Sequence, residues 1–480
     1  MIWKKGTFSY VTWVLYMLIV GIGLVVSLAG MSTRMGYSAM PGFVANVMVL
    51  ATAGVIVWFL QKKSQDNPPV KRISFKEANR QKTELYIVAG MLLVGLIVRI
   101  VGMKNAPLDS SYYQAARIAS DVEVINRVHG IDHLYVQMLH KLFFVFGNKI
   151  MVAYRLQLFL QLGGLIFGYF AVRKFVGYLP AMMLLLYGIL SPLFLAEVCE
   201  LSPRMLYFFF YAGALWLLGI LLKNRTERKK FWCLSGVIIG FLIYLDITGV
   251  GLLIVLVCGV FLLKPAEAEK TQIPFLEFLA GLAGCLIGIW GSLIVDSFAS
   301  HTEISRVFLS DVRLYIPDMF GLDSIDFLLE SRTEFVILLI VMSVGIFSFP
   351  CNRKTDESCV WVLVLALEIF VFVAGVLPGV MKSPFWLCFY MSILAGVGVQ
   401  NTMKLFKFEF GDKQEPQEKS WPLGDDEPKG EPGKVVTVEV DGQKKEVKLL
   451  DNPLPVPKKK IRKAMDYDIE VSEDDDYDIK

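Results

Sequence analysis

Asp109 stands in Leu108-Asp109-Ser110-Ser111-Tyr112-Tyr113, directly after an apolar run and before an amphipathic stretch. An Asp in that place caps the helix that follows. At a membrane surface it can also act as a general base, taking a proton from an acceptor hydroxyl while a lipid-linked donor lies in the adjacent leaflet. The two roles are compatible, because a cap also orients the carboxylate. Arg204 opens another apolar run, within Glu197-Val-Cys-Glu200-Leu-Ser-Pro203-Arg204. It can meet a lipid phosphate bidentately or snorkel to headgroups. Arg155 and Glu368 lie inside apolar runs, where ionisable groups are costly and are paired or functional. The spacing leaves both an Arg–Glu pair and an acid–base or phosphate role open. Gln157 and Gln161 share a face of the same helix as Arg155 and predict that this face is buried against protein. His129 and His133, with Asp132 between them, have a spacing that could hold a metal on a helix. Gly130 weakens that helix and no third ligand follows, so an interfacial polar cluster is the plainer reading.

These residues need elements to hold them. The chain has 480 residues, 55% apolar and 19% charged, with a mean hydropathy of +0.54. Soluble domains average about 45–50% apolar and about 25% charged, which excludes a disordered protein and disfavours an ordinary soluble enzyme. A bilayer-crossing helix needs about 20 mostly apolar residues. Twelve such runs are expected, at 10–30, 42–60, 85–103, 150–171, 178–197, 205–222, 231–246, 247–263, 273–296, 334–350, 360–378 and 384–400. The fold class is therefore an all-α integral membrane protein, with 231–246 and 247–263 either short or a re-entrant pair. Ser27 and Ala29 would suit a signal cleavage site, but the first run is longer than a signal's apolar region, and an uncleaved anchor is expected. With the N-terminus inside, the inner loops hold 20 basic residues against 11 outside. The positive-inside rule then places both termini in the cytoplasm of a multi-pass plasma-membrane protein. Arg99, Arg155 and Glu368 fall within spans.

The two long outer segments are 104–149 and 297–333. In the first, Ala115, Ile118, Val122 and Ile125 predict one interfacial helix over 110–127. Leu134, Met138, Leu142 and Val145 predict another over 134–146, apolar face down. From 402 the chain changes character, with 15 Lys+Arg and 20 Asp+Glu. This tail, 402–480, divides from the membrane domain 1–401. It reads as a linker, a candidate β-hairpin at 435–450 turning near Asp441-Gly442, a Pro-rich and basic stretch at 452–463, and an acidic end at 464–480 that could meet a cytoplasmic protein partner. Seven cysteines at 199, 233, 258, 285, 351, 359 and 388 show no CxxC and imply neither disulfides nor zinc. Phosphate-binding, dinucleotide and metalloprotease motifs are absent, and nothing suggests a nucleic-acid partner.

The order of features is distinctive. An acidic residue follows a span on the outer face. Next come an interfacial helix, a His-rich stretch and Leu134-Tyr-Val-Gln-Met-Leu-His-Lys-Leu-Phe-Phe-Val-Phe-Gly147-Asn148. A span follows, then Ala171-Val-Arg-Lys-Phe-Val-Gly177 inside, and Ser191-Pro192 late in the next span. This layout resembles the C-type glycosyltransferases, multispanning enzymes that use polyprenyl-phosphate sugars and include protein O-mannosyltransferases and the aminoarabinose transferase of lipid A. The resemblance covers roughly 85–263, and 264–400 more loosely. Ser110 stands where many members carry a second acidic residue, and Gly130-Ile131-Asp132-His133-Leu134 lacks the prolines common there. The resemblance implies inverting sugar transfer at the outer face with Asp109 as base. Arg204 and Arg155 would bind the lipid phosphate, and Tyr112, Tyr113, Asp132 and His133 would contact substrate. The partners are then membrane lipids, a polyprenyl-phosphate sugar as donor, and a glycan, lipid or protein acceptor. No cofactor is required, and no metal is supported by the residues. The alternative is a polytopic transporter or a lipid or glycan flippase.

Overall fold

In hydrocarbon every backbone N–H and C=O must find a partner within the chain, and an apolar run meets that condition as a helix. A computed structural model of the chain describes residues 5–66, 77–118, 130–224, 229–262, 274–300, 333–349, 357–373, 384–405, 435–440, 443–448, 462–463 and 470–471. Two units divide at Asp412. The first holds α1 (Lys5–Arg34), α2 (Met40–Asp66), α3 (Glu77–Gly102), the short α4 (Ser111–Ile118) and α5 (Gly130–Phe146). It continues with α6 (Ile150–Phe175), α7 (Tyr178–Leu190), α8 (Pro192–Cys199), α9 (Arg204–Asn224) and α10 (Lys229–Leu245). The last five are α11 (Val250–Leu262), α12 (Pro274–Ser300), α13 (Thr333–Ser348), α14 (Glu357–Val373) and α15 (Pro384–Leu405).

Among the described residues, six helices are long and apolar enough to cross a membrane: α1, α2, α3, α6, α9 and α12. The bent pair α7–α8 makes a seventh. Twelve crossings are thus not confirmed among the described residues. Helices do stand at the other expected spans, but α10, α11 and α13 are short apolar helices. The apolar run 231–263 breaks at Asp246, whose carboxylate accepts the Thr248 N–H at 2.8 Å, so it yields two short helices.

Packing sorts the helices by depth. Every residue from 385 to 398 is buried, so α15 is a core element; a helix apolar all round belongs inside. By contrast α2 and α3 expose Trp58, Phe59, Leu85 and Tyr86, as faces turned to lipid would. The tightest contact joins α10 to α12. A Cβ at Gly240 would fall on the Cys285 carbonyl, and one at Gly288 on the Val237 carbonyl. Small residues spaced this way bring two backbones together where no hydrophobic force acts between helices.

The expected single span 178–197 is bent by 56° between Leu190 and Pro192. Pro192 has no N–H, so the Gly188 carbonyl loses its helical donor four residues on. Arg99, fully buried on α3, supplies the bond from Nη2 at 2.6 Å. The guanidinium also donates to the Gln161 side-chain oxygen at 2.5 Å and to the Gly95 carbonyl at 3.1 Å. Gln161 in turn donates to the Phe194 carbonyl at 2.6 Å. On the other side of the break Ser191 caps α8 and donates to Glu334 at 2.5 Å.

In the second unit β1 (Val435–Val440) pairs antiparallel with β2 (Gln443–Lys448), Val436 facing Val447 and Val440 facing Gln443. Two residues separate the strands, the spacing of a tight hairpin. A second, shorter pair joins Arg462–Lys463 to Glu470–Val471.

Candidate functional site

The polar residues singled out at one end of the bundle are carried by α4, α5 and the start of α9. Gly130 begins α5 with φ +68°, a left-handed conformation that glycine adopts without a Cβ penalty. A Cβ there would lie 3.4 Å from the Leu245 carbonyl, so the start of α5 rests against the end of α10. α5 begins four residues earlier than its pattern predicts. Its packed face also differs from the expected one. Ile131, Tyr135, Leu139 and Phe143 are buried, whereas Leu134, Met138 and Leu142 are half-buried and Val145 is exposed. Tyr135, absent from the expected stripe, belongs to the packed one. Of the expected helix 110–127, α4 is described over Ser111–Ile118; Val122, Ile125 and His129 lie outside the described residues.

α4 and α5 are fastened by rings and hydroxyls. Tyr112 meets Tyr135 edge to face at 5.7 Å, and Tyr113 meets Phe143 at 5.6 Å. His140 Nδ1 lies 3.0 Å from the Ala116 carbonyl. The Tyr112 hydroxyl donates to Asp132 at 2.6 Å. From there the network runs into the bundle. The Tyr135 hydroxyl donates to Gln157 at 2.8 Å. The Gln157 amide then reaches the carbonyls of Glu197, Glu200 and Ser202 at 3.1–3.2 Å. The Glu197 and Glu200 carbonyls end α8, where helical donors run out, and Ser202 lies in the turn beyond, so one buried glutamine closes the helix end and positions the turn into α9.

Arg204, at the first position of α9, donates from Nη1 to both Glu197 oxygens at 2.9 and 3.0 Å, with Glu200 at 3.9 Å. The Tyr112 phenol lies within the field of this group. Burial and its bond to Asp132 raise its pKa, Glu200 adds to the rise and Arg204 opposes it. The structure thus brings Tyr112, Asp132 and Arg204 together with two carboxylates, Glu197 and Glu200, to which the sequence reading assigned no role. Their signal was an acidic residue late in an apolar span, four and seven residues before an Arg.

Asp109 is exposed. Its Oδ1 accepts the Ser110 N–H at 2.9 Å and the Gln114 amide at 2.7 Å. The Ser110 carbonyl accepts the first helical bond, from Gln114 N–H at 3.0 Å, so Ser110 and not Asp109 is the N-cap. The Tyr154 hydroxyl donates to the Pro107 carbonyl at 2.5 Å and pins the chain just before Asp109. Tyr113 stacks under Arg117 at 5.7 Å and reaches the Asn148 carbonyl at 3.4 Å. His133 lies 2.5 Å from the Gln137 amide.

The expected face of Gln157 and Gln161 is fully buried. Arg155 is exposed, because two residues along a helix turn a side chain by about 200°. The candidate Arg155–Glu368 pair is therefore corrected. Glu368 is buried and shares a cavity with Val172 and Phe175, and Val172 lies about 26 Å of helix rise from Arg155. The depth of a charge is legible from a hydropathy pattern; the side of the helix it occupies is not.

No protein-family model matches the chain, and no curated protein does. Among solved structures, the oligosaccharyltransferase of Archaeoglobus fulgidus, in complex with Zn and sulfate, is similar over 66% of this chain at a TM-score of 0.39 and 12% identity. The match covers 49% of that protein, so this chain spans about half its length.

Proposed function

We propose that the chain is a membrane glycosyltransferase that moves a sugar from a polyprenyl-phosphate donor to an acceptor on the outer face, with Asp109 as general base. The observation that supports this most directly is an exposed carboxylate whose direction is set by Ser110 and Gln114 at the foot of α4. Such a group can meet an acceptor hydroxyl without first breaking an ion pair. The Tyr112–Asp132 pair next along α4 and α5, with Tyr113 and His133, supplies hydroxyl, carboxylate and ring contacts suited to a sugar. Arg204 keeps an edge of its guanidinium beyond the Nη1 contacts to Glu197, and that edge is offered to the lipid phosphate. Arg155, exposed on α6, faces the same headgroup layer. In the proposed step Asp109 takes the acceptor proton, the acceptor oxygen attacks the anomeric carbon, and lipid phosphate leaves with inversion.

Asp109→Asn tests the reading in membranes supplied with radiolabelled polyprenyl-phosphate sugars. Asn can still accept from Ser110 and Gln114, so folding is retained. Transfer should fall by about 10²–10⁴-fold, the usual contribution of a general base; unchanged transfer removes the role. A transporter remains the second reading, favoured by the break between α7 and α8 with Arg99 and Glu334 bonded at it, since broken helices build transport sites. Substrate movement across vesicles without any glycosyl transfer would select it.

A further inference from the structure

Away from its packed stripe, α5 changes character along its length. That side begins with the half-buried His133 and Gln137 and ends with Lys141, Phe144, Val145 and Phe146, all exposed. Phe144 reaches 90% exposure. Gly147, at φ +87°, then turns the chain into α6. The exposed apolar surface does not stop there. Met151 and Phe159, about two turns apart on one face of α6, are exposed as well, and α6 is long and apolar enough to cross a membrane. The last turn of α5 is thus continuous with the lipid side of a span, whereas its first turns carry the polar groups of the site described above.

Three cations stand around this tip. Lys141 lies one turn before Val145 on the same side of α5. Lys149 holds the N-cap position of α6. Arg117 lies over the Tyr113 ring at 5.7 Å, and Tyr113 touches both Phe143 and the Asn148 carbonyl, so Arg117 is held against the same corner. All three are exposed, and none has a carboxylate partner among the described residues. Asp109, at the foot of α4, is already bonded to Ser110 and Gln114. Arg155 lies about 9 Å beyond Lys149 along α6 and belongs to the donor site proposed above. Bulky apolar side chains beside unpaired cations match one surface, acyl chains flanked by phosphates. Cations that lack carboxylates of their own favour a headgroup of net negative charge over a zwitterion, whose ammonium they repel.

We propose that the α5–α6 corner is an anchor for anionic lipid: Phe144, Val145 and Phe146 enter the leaflet at this end of the bundle, and Lys141, Lys149 and Arg117 hold the phosphate of an anionic glycerophospholipid. The occupant is a bulk membrane lipid and not the sugar donor, and the anchor does not depend on the transferase reading.

The test is photo-crosslinking of the full-length chain with benzoylphenylalanine in place of Phe144. The protein is reconstituted in bilayers of equal parts phosphatidylglycerol and phosphatidylcholine with identical acyl chains, and the adducts are identified by mass spectrometry. The same probe in place of Trp290 is the reference, because Trp290 is exposed on α12, a helix without Lys or Arg. At position 144 phosphatidylglycerol adducts should exceed phosphatidylcholine adducts by about tenfold; at position 290 the two should be about equal. Lys141→Gln combined with Lys149→Gln, both at exposed positions, should lower the ratio at 144 by about tenfold, the effect expected of two charges lost near the surface. Absence of any lipid adduct at 144, equal adducts of the two lipids there, or a preference that survives the double substitution or recurs in full at 290 overturns the proposal. Displacement of phosphatidylglycerol from 144 by added polyprenyl phosphate also overturns it, since the corner would then belong to the donor.

Discussion

Arg99 and Glu368 are both ionisable side chains buried inside the helical bundle, and the interior meets them in opposite ways. Arg99 spreads its charge over the Gly95 and Gly188 carbonyls and the Gln161 amide oxygen. Glu368, on α14, has the Tyr390 phenol of α15 beside it, and its Oε1 has no hydrogen-bond partner among the described residues. The difference follows from what a helix can offer. Each carbonyl has a second lone pair, and a proline break frees a whole carbonyl, so acceptors for a cation are available anywhere along a bent span. Backbone N–H groups have a single proton, already given to the carbonyl four residues back, so a carboxylate finds donors only at helix starts and on side chains. A membrane bundle can therefore satisfy a buried cation from its own backbone far more readily than a buried anion.

Three substitutions sharpen or break that contrast. The largest effect is expected at the helix break. Arg99→Met leaves the Gly188 carbonyl and the Gln161 oxygen without donors, and at about 1–3 kcal/mol for each orphaned buried acceptor the loss in stability should reach about 2–6 kcal/mol. Detergent unfolding no different from wild type would show that the break does not need the guanidinium. Next is Glu197→Gln, at the face of the bundle, where the carboxylate is buried and its Arg204 partner is 27% exposed. Loss of the charge-assisted bonds should cost about 1–2 kcal/mol. Because solvent reaches Arg204, the cost should shrink in high salt; a cost insensitive to salt would place this pair with the interior class.

The smallest effect is expected for Tyr112→Phe, which removes the bond to Asp132 and should cost about 0.5–1.5 kcal/mol. The Tyr112 pKa is raised in the folded chain, chiefly by burial and then by Asp132. Its stabilisation is thus complete below the ordinary tyrosine pKa of about 10 and declines as pH rises beyond it, where the unfolded phenol ionises and the folded one does not. Wild type should lose stability above about pH 10 more steeply than Tyr112→Phe. Parallel curves for the two proteins would contradict the shift.

Much of the helical layout is legible in hydropathy alone, since a helix stands at each apolar run that the described residues cover. Length is less so. Asp246 interrupts the run 231–263 and Pro192 bends 178–197, both visible residues whose effect depends on what stands ready to take the freed backbone groups. The site is legible in part. Asp109, Tyr112, Asp132 and Arg204 declare themselves by type and position. Glu197 does not, because an acid inside Leu193-Phe-Leu-Ala-Glu197-Val reads as an exception to an apolar helix. The acceptors of Arg99 are invisible in principle: a carbonyl carries no residue type. The Arg155–Glu368 pairing failed for a related reason, as two charges at plausible depths need not share a side of the bundle. The close passage of α10 and α12 had a signal that went unread, the glycines at 236, 240, 281, 284 and 288.

The bond from Arg99 to the break also sets a clock on biogenesis. Its partners Gln161 and Gly188 lie 62 and 89 residues later in the chain. At about 5–20 residues per second, the carbonyl of Gly188 is made about 4–18 s after Arg99. During that interval α3 holds a cation for which the membrane has no answer, at up to about 2.5–3.5 kcal/mol on insertion scales. The third apolar run is therefore expected to linger at the insertion machinery until α7 arrives, and the two should enter the bilayer as a unit. Nascent chains arrested before residue 188 would release α3 to alkaline extraction, and those arrested beyond residue 200 with α7 fully emerged would retain it.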